Sequence, residues 1–445
     1  MNTKAGGFLQ QRAEPRDTTV DGREYHQKQA IESQGEISID VDFDSISMDQ
    51  LSAAGGVKWA KFPGKIGAFV AEMDFGTAPV VTKAMHEAID LGRLGYLPQK
   101  LADDMADATA TWQRESYGWH VPASWVQHTS DVLNGLQIAI EHYSKPGTPV
   151  IVPTPAYMPF FRIPGELGRD VIEVPLIEVD GRYTFDLEGL DRAFKQGGSL
   201  LVLCNPYNPV GRVFDKQELL DISEVVARNN GRVFADEIHA PLVFRGATHV
   251  PYASISAETA LHTVTATSAS KAWNVPGLKC AQLIFSNGND MDIWERQAQK
   301  SRHGASNLGV IASIAAYRDG RPWLEKVLNY IDGNRRLLDR LIREHLPKIR
   351  YTQPEGTYIG WLDARALGLE CPADFFAREA DVAMTDGATC GKSGAGFMRF
   401  VFATPRPVLE SAIEQMAAAI ARQEKPRIPA TAVGSNLATP EDQHD

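Results

Sequence analysis

Across 445 residues, no apolar run approaches the roughly 18 residues that a membrane-spanning helix needs. Met1 to Arg12 hold no apolar stretch of the kind a secretory signal requires, so none is expected. Cysteine is scarce. Cys204, Cys280, Cys371 and Cys390 lie far apart, and no C-x-x-C pair exists to hold a metal or a redox couple. Such usage fits a reducing cytoplasm, with packing as the expected role of each thiol. Positive charge is also short. Lys and Arg number 45 against 56 Asp and Glu, a net charge of −11, which disfavours nucleic acid, anionic membranes and polyanionic substrates as main partners.

Several signatures are missing. No G-x-G-x-x-G follows an apolar strand, so a dinucleotide-binding turn has no direct support. Asp236-Glu237-Ile238-His239 looks like a helicase box, but that reading requires an upstream phosphate loop. The Gly-Lys-Ser at Gly391 to Ser393 lies downstream, with Asp386 where the first glycine belongs. His86-Glu87 opens like a zinc-binding helix, yet Asp90 stands where the second histidine would be, so a solvated helix face is expected and no metal.

What remains is a body of ordinary composition, 43% hydrophobic and 23% charged, between two polar ends. Residues 1–36 read as a mobile arm, partly ordered against a partner subunit, and 424–445 as a frayed tail. Short apolar strands are predicted at Pro149–Val152, Val171–Pro175, Leu200–Cys204, Arg232–Ala235, His262–Thr267 and Ala281–Phe285. Between two of them lies a helix capped by Asp215, with Glu218 at the capping-box position and Leu219, Leu220, Ile222, Val225 and Val226 as its apolar stripe. Gly231 is its expected stop. This alternation predicts an α/β domain with a mainly parallel sheet. After about Arg321, helical patterns at Trp323–Arg343 and Val408–Arg422 surround strand-like runs at Tyr358–Leu362 and Phe397–Phe402, predicting a smaller α+β domain.

The strongest chemical signal is Ser268-Ala269-Ser270-Lys271-Ala272-Trp273-Asn274, directly after a predicted strand. A lysine there, flanked by small hydroxyl residues, suits covalent attachment of an aldehyde cofactor with its phosphate nearby; standing alone it would read as a surface lysine in a Ser/Thr loop. Two further segments sit at strand ends, where open α/β sheets bind ligands. Asn205-Pro206-Tyr207-Asn208-Pro209-Val210-Gly211 follows one strand, and Asp236 ends the next, with His239 three residues on. Asp236 can pair with a pyridinium nitrogen, and Asn208 and His239 can bond the ring's phenolic oxygen. Read blandly, Asn208 is a turn residue and His239 a satisfied helix-start histidine.

Together, N-P-x-N-P-x-G, D-E-I-H and S-x-S-K-x-x-N-x-x-G-L resemble fold type I pyridoxal-phosphate enzymes of the aspartate aminotransferase superfamily. Val70-Ala71-Glu72-Met73-Asp74-Phe75, Gly95-Tyr96 and the run Asp236 to Val243 are most similar to the MalY/PatB branch of cystathionine β-lyases, and the likeness covers roughly residues 40 to 422. It implies pyridoxal 5'-phosphate (PLP), a homodimer with shared active sites and a small sulfur amino acid as substrate. It also implies a large PLP-binding domain over 81–320, a small domain over 321–423, and a segment at 37–80 joining the small one.

Carried over by resemblance, Lys271 holds the cofactor and later shuttles a proton. Asp236 pairs with the ring nitrogen, Asn208 and His239 face the phenolic oxygen, and Tyr157 stacks on the ring. Ser268, Ser270 and Lys279 bind phosphate, with the backbone N–H groups of Val132 and Leu133 at a helix start. Tyr96 reaches phosphate from the other subunit, and Arg399 grips the substrate α-carboxylate. Val210 departs from the family, replacing a common hydroxyl residue. The implied reaction is α,β-elimination, cleaving cystathionine to homocysteine, pyruvate and ammonia. An aminotransferase, or a regulatory protein on the same fold, stands as an alternative.

Overall fold

The computed structural model describes residues 42–424. The whole predicted arm (1–36), the first five residues of the predicted joining segment (37–41) and the predicted tail beyond Glu424 lie outside the described residues. Seven strands form the larger sheet: β1 (Val126–Thr129), β2 (Val150–Thr154), β3 (Val171–Pro175), β4 (Leu200–Cys204), β5 (Arg232–Asp236), β6 (Thr263–Thr267) and β7 (Ala281–Phe285). Their order is β1-β7-β6-β5-β4-β2-β3. Neighbours from β6 through to β3 pair in parallel, while β7 runs antiparallel to both β1 and β6. The five strands of the parallel run are apolar, short and joined by helical crossovers, as strands covered on both faces must be.

The predicted strands are present to within two residues at each end. His262 was expected in a strand but ends the helix Ala257–His262, because Ser256 and Thr259 form a capping box that starts a helix there. Helix α2 (Lys216–Arg228) has Asp215 as its cap and Glu218 reciprocating, as predicted. Its stop differs. Asn229 is the cap, and Asn230 takes the left-handed conformation expected of Gly231. Gly231 is needed instead for close packing, since a β-carbon there would lie 2.4 Å from the Phe194 ring.

The second sheet has four antiparallel strands, β8 (Arg350–Tyr351), β9 (Ile359–Asp363), β10 (Thr385–Asp386) and β11 (Phe397–Val401), in the order β8-β9-β11-β10. Helices α3 (Arg321–His345) and α4 (Arg406–Glu424) pack with it. Two large apolar clusters result. One sandwiches the seven-stranded sheet and includes Leu136, Ile151, Leu203, Val226 and Leu283. The other draws Phe43, Trp59 and Phe75 from the start of the described chain onto Ile331, Leu338, Phe400 and Ile413. Residues distant in sequence are thereby held against the second sheet, which brings residues 69–74 to the site described next. Among the described residues, no helix is long and apolar enough to cross a membrane.

Candidate active site

The parallel strands deliver their carboxyl ends to one edge of the sheet, and the reversed β7 delivers its amino end to the same edge. That edge borders a cavity of about 690 Å³. Tyr157 reaches it after β2, Asn208 after β4, Asp236 at the end of β5, Ser268, Ser270 and Lys271 after β6, and Lys279 before β7. Arg399 comes from the other sheet, in the middle of β11. The sequence places these residues up to 242 positions apart (Tyr157 to Arg399); sheet polarity collects them.

Lys271 Nζ donates to the Ala71 carbonyl at 2.8 Å. Burial, with the Arg399 charge second, pulls its ammonium down to about 8, while Glu72 and Asp236 act in the opposite sense. About one molecule in ten therefore carries the free amine at pH 7, the form that attacks carbonyls and accepts protons. Asp236 is 4% exposed, and burial pushes its carboxyl up to about 7. Its Oδ1 accepts the Ile238 N–H at 3.1 Å. Burial likewise holds His239 down to about 3, and its Nδ1 has no hydrogen-bond partner. Arg399 donates to Asn208 Oδ1 at 3.3 Å and to the Phe69 carbonyl at 2.7 Å.

The other end of the cavity is built around α1 (Val132–His142). Asp131 caps it by accepting from the Asn134 N–H at 2.9 Å, so Val132 and Leu133 begin the helix with N–H groups that have no intrahelical acceptor. Gly135 lets α1 press onto β7, since a β-carbon there would stand 2.8 Å from Leu283. Ser268 Oγ donates to the Cys280 carbonyl at 2.7 Å and accepts from the Ser270 N–H at 3.0 Å. Lys279 is exposed and pairs with Asp131 at 3.0 Å. Cys204 and Cys280 also border the cavity, their thiols pushed up by burial, Cys280 to about 11.

These groups fit PLP. A helix start, two hydroxyl residues and a lysine suit a phosphate. A deeply buried carboxylate suits the cationic ring nitrogen it otherwise lacks, an unpartnered imidazole nitrogen awaits a polar group, and a lysine whose ammonium is made more acidic by burial suits the aldehyde. Tyr96 was expected to serve the site of a partner subunit. It is fully exposed and does not border the cavity of its own chain.

Sequence reasoning missed a strap beneath the site. Phe69 and Ala71 present their carbonyls to Arg399 and Lys271, and Tyr358 Oη also donates to Ala71 at 3.0 Å. Three residues past Ala71, Asp74 is fixed from below. Lys58, 2% exposed, forms an ion pair with it at 2.7 Å, and Trp59 Nε1 donates to it at 2.9 Å. Asn274, just past Lys271, bonds both the N–H and the carbonyl of Met73. The signal for Asp74 and Asn274 was their place in the quoted motifs; Lys58 had none, because burial of a lysine leaves no local trace.

The Asp236 carboxyl gives a direct test. In the cofactor-free native chain it keeps its proton up to about pH 7, against 3.8 unfolded. The native state therefore binds the extra proton between those values, and stability falls as pH rises through that window. Asp236→Asn removes the loss. Cofactor-free Asp236→Asn should be more stable than cofactor-free wild type at pH 8, by on the order of 1–3 kcal/mol, and should bind the cofactor more weakly. Equal melting of the two cofactor-free proteins at pH 8 would show that the carboxylate is not strained.

Fold and site together define a fold type I PLP-dependent enzyme. The sequence matches aminotransferase class I and II over residues 65–416, and the chain belongs to that family. It is 35% identical over 378 residues to cystathionine beta-lyase of Corynebacterium glutamicum, covering 84% of this chain and 99% of that one. Cystathionine beta-lyase PatB of Bacillus subtilis is 31% identical, covering 82% and 96%. The crystal structure of cystalysin from Treponema denticola, which contains pyridoxal 5'-phosphate, superposes with a TM-score of 0.81 at 29% identity, covering 86% of this chain and 99% of that one.

Proposed function

We propose that the protein is a PLP-dependent carbon–sulfur β-lyase that cleaves cystathionine or a related cysteine thioether to a thiol, pyruvate and ammonia. The observation that carries this reading is the meeting of Lys271, Asp236 and Arg399 in one cavity, in a chain that covers 96–99% of the length of enzymes named for cleaving cystathionine. When bound, PLP supplies the electron sink that makes the substrate Cα–H acidic. The chain's own groups do the rest. Asp236, ionised against the ring nitrogen, would keep that sink charged. Asn208 and His239 would hold the phenolic oxygen, and Tyr157 the ring face. Ser268, Ser270, Lys279 and the N–H groups of Val132 and Leu133 would hold the phosphate, with the Ser268 hydroxyl turning from the Cys280 carbonyl to donate.

Arg399 would receive the substrate α-carboxylate on its guanidinium fork, which orients the Cα proton toward Lys271 Nζ. Lys271, as the free amine, would take that proton, and the resulting ammonium can return it to the departing thiolate. Replacing Arg399 by Lys keeps the charge and loses the two-pronged geometry. Arg399→Lys is expected to raise KM about 10- to 100-fold with a much smaller change in kcat. An unchanged KM would place carboxylate binding elsewhere.

We further propose a homodimer in which Tyr96 of one subunit completes the phosphate site of the other, its full exposure leaving it free to do so. A cytoplasmic setting, a large domain over 81–320 and a small domain over 321–423 belong to the same proposal. Incubating purified holoenzyme with cystathionine and no keto acid tests the reaction; absence of both pyruvate and free thiol rules out the lyase. Transamination is the second reading, favoured by the family match itself, and strict dependence on a keto-acid acceptor would select it.

A further inference from the structure

Part of the cavity wall carries side chains with no assigned step in the reaction at Lys271, although the Glu72 charge acts on the Lys271 ammonium. It is formed by Val57, Lys61, Phe62, Phe69 and Glu72. Lys61 Nζ lies 5.4 Å from the centroids of both the Phe62 and the Phe69 rings, a position that holds its charge at the cavity wall. Glu72 lies three residues beyond Phe69. Its Oε2 sits 4.0 Å from where a β-carbon on Gly56 would stand. Gly56 and Lys61 flank the single helical turn Val57–Ala60, as its N-cap and C-cap. At about 1.5 Å rise per residue, such a turn is about 6 Å long. The Glu72 carboxylate thus lies near the N-terminal end of this short turn, and the Lys61 side chain extends from its C-terminal end to the Phe62 and Phe69 rings. Among the described residues, neither has an ion-pair partner, whereas the nearby Lys58 and Lys65 are both paired.

We propose that Lys61 and Glu72 form a subsite for the second amino-acid head group of a two-headed thioether. Lys61 binds its carboxylate and Glu72 its ammonium, with the linking methylenes lying along Phe62 and Phe69. The inference rests on the lyase reading and sharpens it. The inner head is gripped by Arg399 and reacts, and the outer head selects for substrates that carry a second α-amino-acid group over plain S-alkylcysteines.

Binding to the holoenzyme separates this from the reaction itself. The probes are 2,7-diaminooctanedioic acid, which has two heads and no sulfur to expel, and 2-aminoheptanoic acid, which lacks the outer head. Each is titrated by its effect on the cofactor absorbance. Wild type should prefer the two-headed probe. Lys61→Gln and Glu72→Gln should each cut the ratio of the two dissociation constants about three- to tenfold, and Lys61→Arg should restore most of it. Using the ratio cancels any effect of Glu72→Gln on Lys271. No preference in wild type, or a ratio unmoved by Lys61→Gln, overturns the subsite. Failure of the wild type to release thiol from cystathionine, by contrast, would sink the lyase reading while the binding ratio still reports on the subsite.

Discussion

Lys271→Ala is expected to lower the elimination rate by at least about a thousandfold, since it removes both the covalent anchor and the general base. Two signatures distinguish this from a general disturbance of the fold. Borohydride, which fixes PLP covalently onto a lysine, should leave the variant chain unlabelled. Added alkylamines should restore part of the rate, because a small base can enter the space vacated by the side chain. Among the described residues, Lys271 Nζ bonds only the Ala71 carbonyl, so removing it should cost little stability. A variant that retains activity within tenfold of wild type would remove Lys271 from the mechanism.

The second large effect lies below the site. Lys58 and Asp74 are 2% and 7% exposed, and breaking such a pair leaves a buried charge without its counterion. Lys58→Met is expected to cost about 3–5 kcal/mol, seen as a lowered melting temperature. The double variant Lys58→Met/Asp74→Leu should regain most of that stability, because well-packed apolar residues replace buried ion pairs at little cost. Its kcat should nevertheless stay below wild type. Asp74 fixes the strap two residues from Glu72 and three from the Ala71 carbonyl that Lys271 bonds, and a strap held only by apolar packing loses that registration. A double variant with full stability and full kcat would show that the pair merely fills space.

The site was legible where its chemistry is written in contiguous runs at strand ends. Asn205 to Gly211, Asp236 to His239 and Ser268 to Asn274 each follow an apolar strand directly, so local pattern and sheet polarity together place them on one edge. The sequence could not show what depends on long-range closure. Arg399 meets the Phe69 carbonyl across 330 positions, and Lys58 is buried against Asp74 where the start of the described chain packs onto the second sheet. Strand β1 was missed for a different reason. Val126-Gln127-His128-Thr129 carries only one apolar residue and has neither alternation nor a continuous apolar run, so it is a strand only because β7 pairs with it. His262 was misread because the preceding capping box outweighed its apolar neighbours.

The two cysteines in the cavity wall bear on durability. An enzyme that discharges thiols works among small disulfides formed when those products oxidise, and exchange with them requires a thiolate on the protein. With its pKa pushed up to about 11, Cys280 is ionised in only about one molecule in ten thousand at pH 7, and burial moves Cys204 in the same direction. The depth that makes Asp236 hungry for a cation thus also keeps the neighbouring sulfurs inert toward the compounds the catalyst would generate.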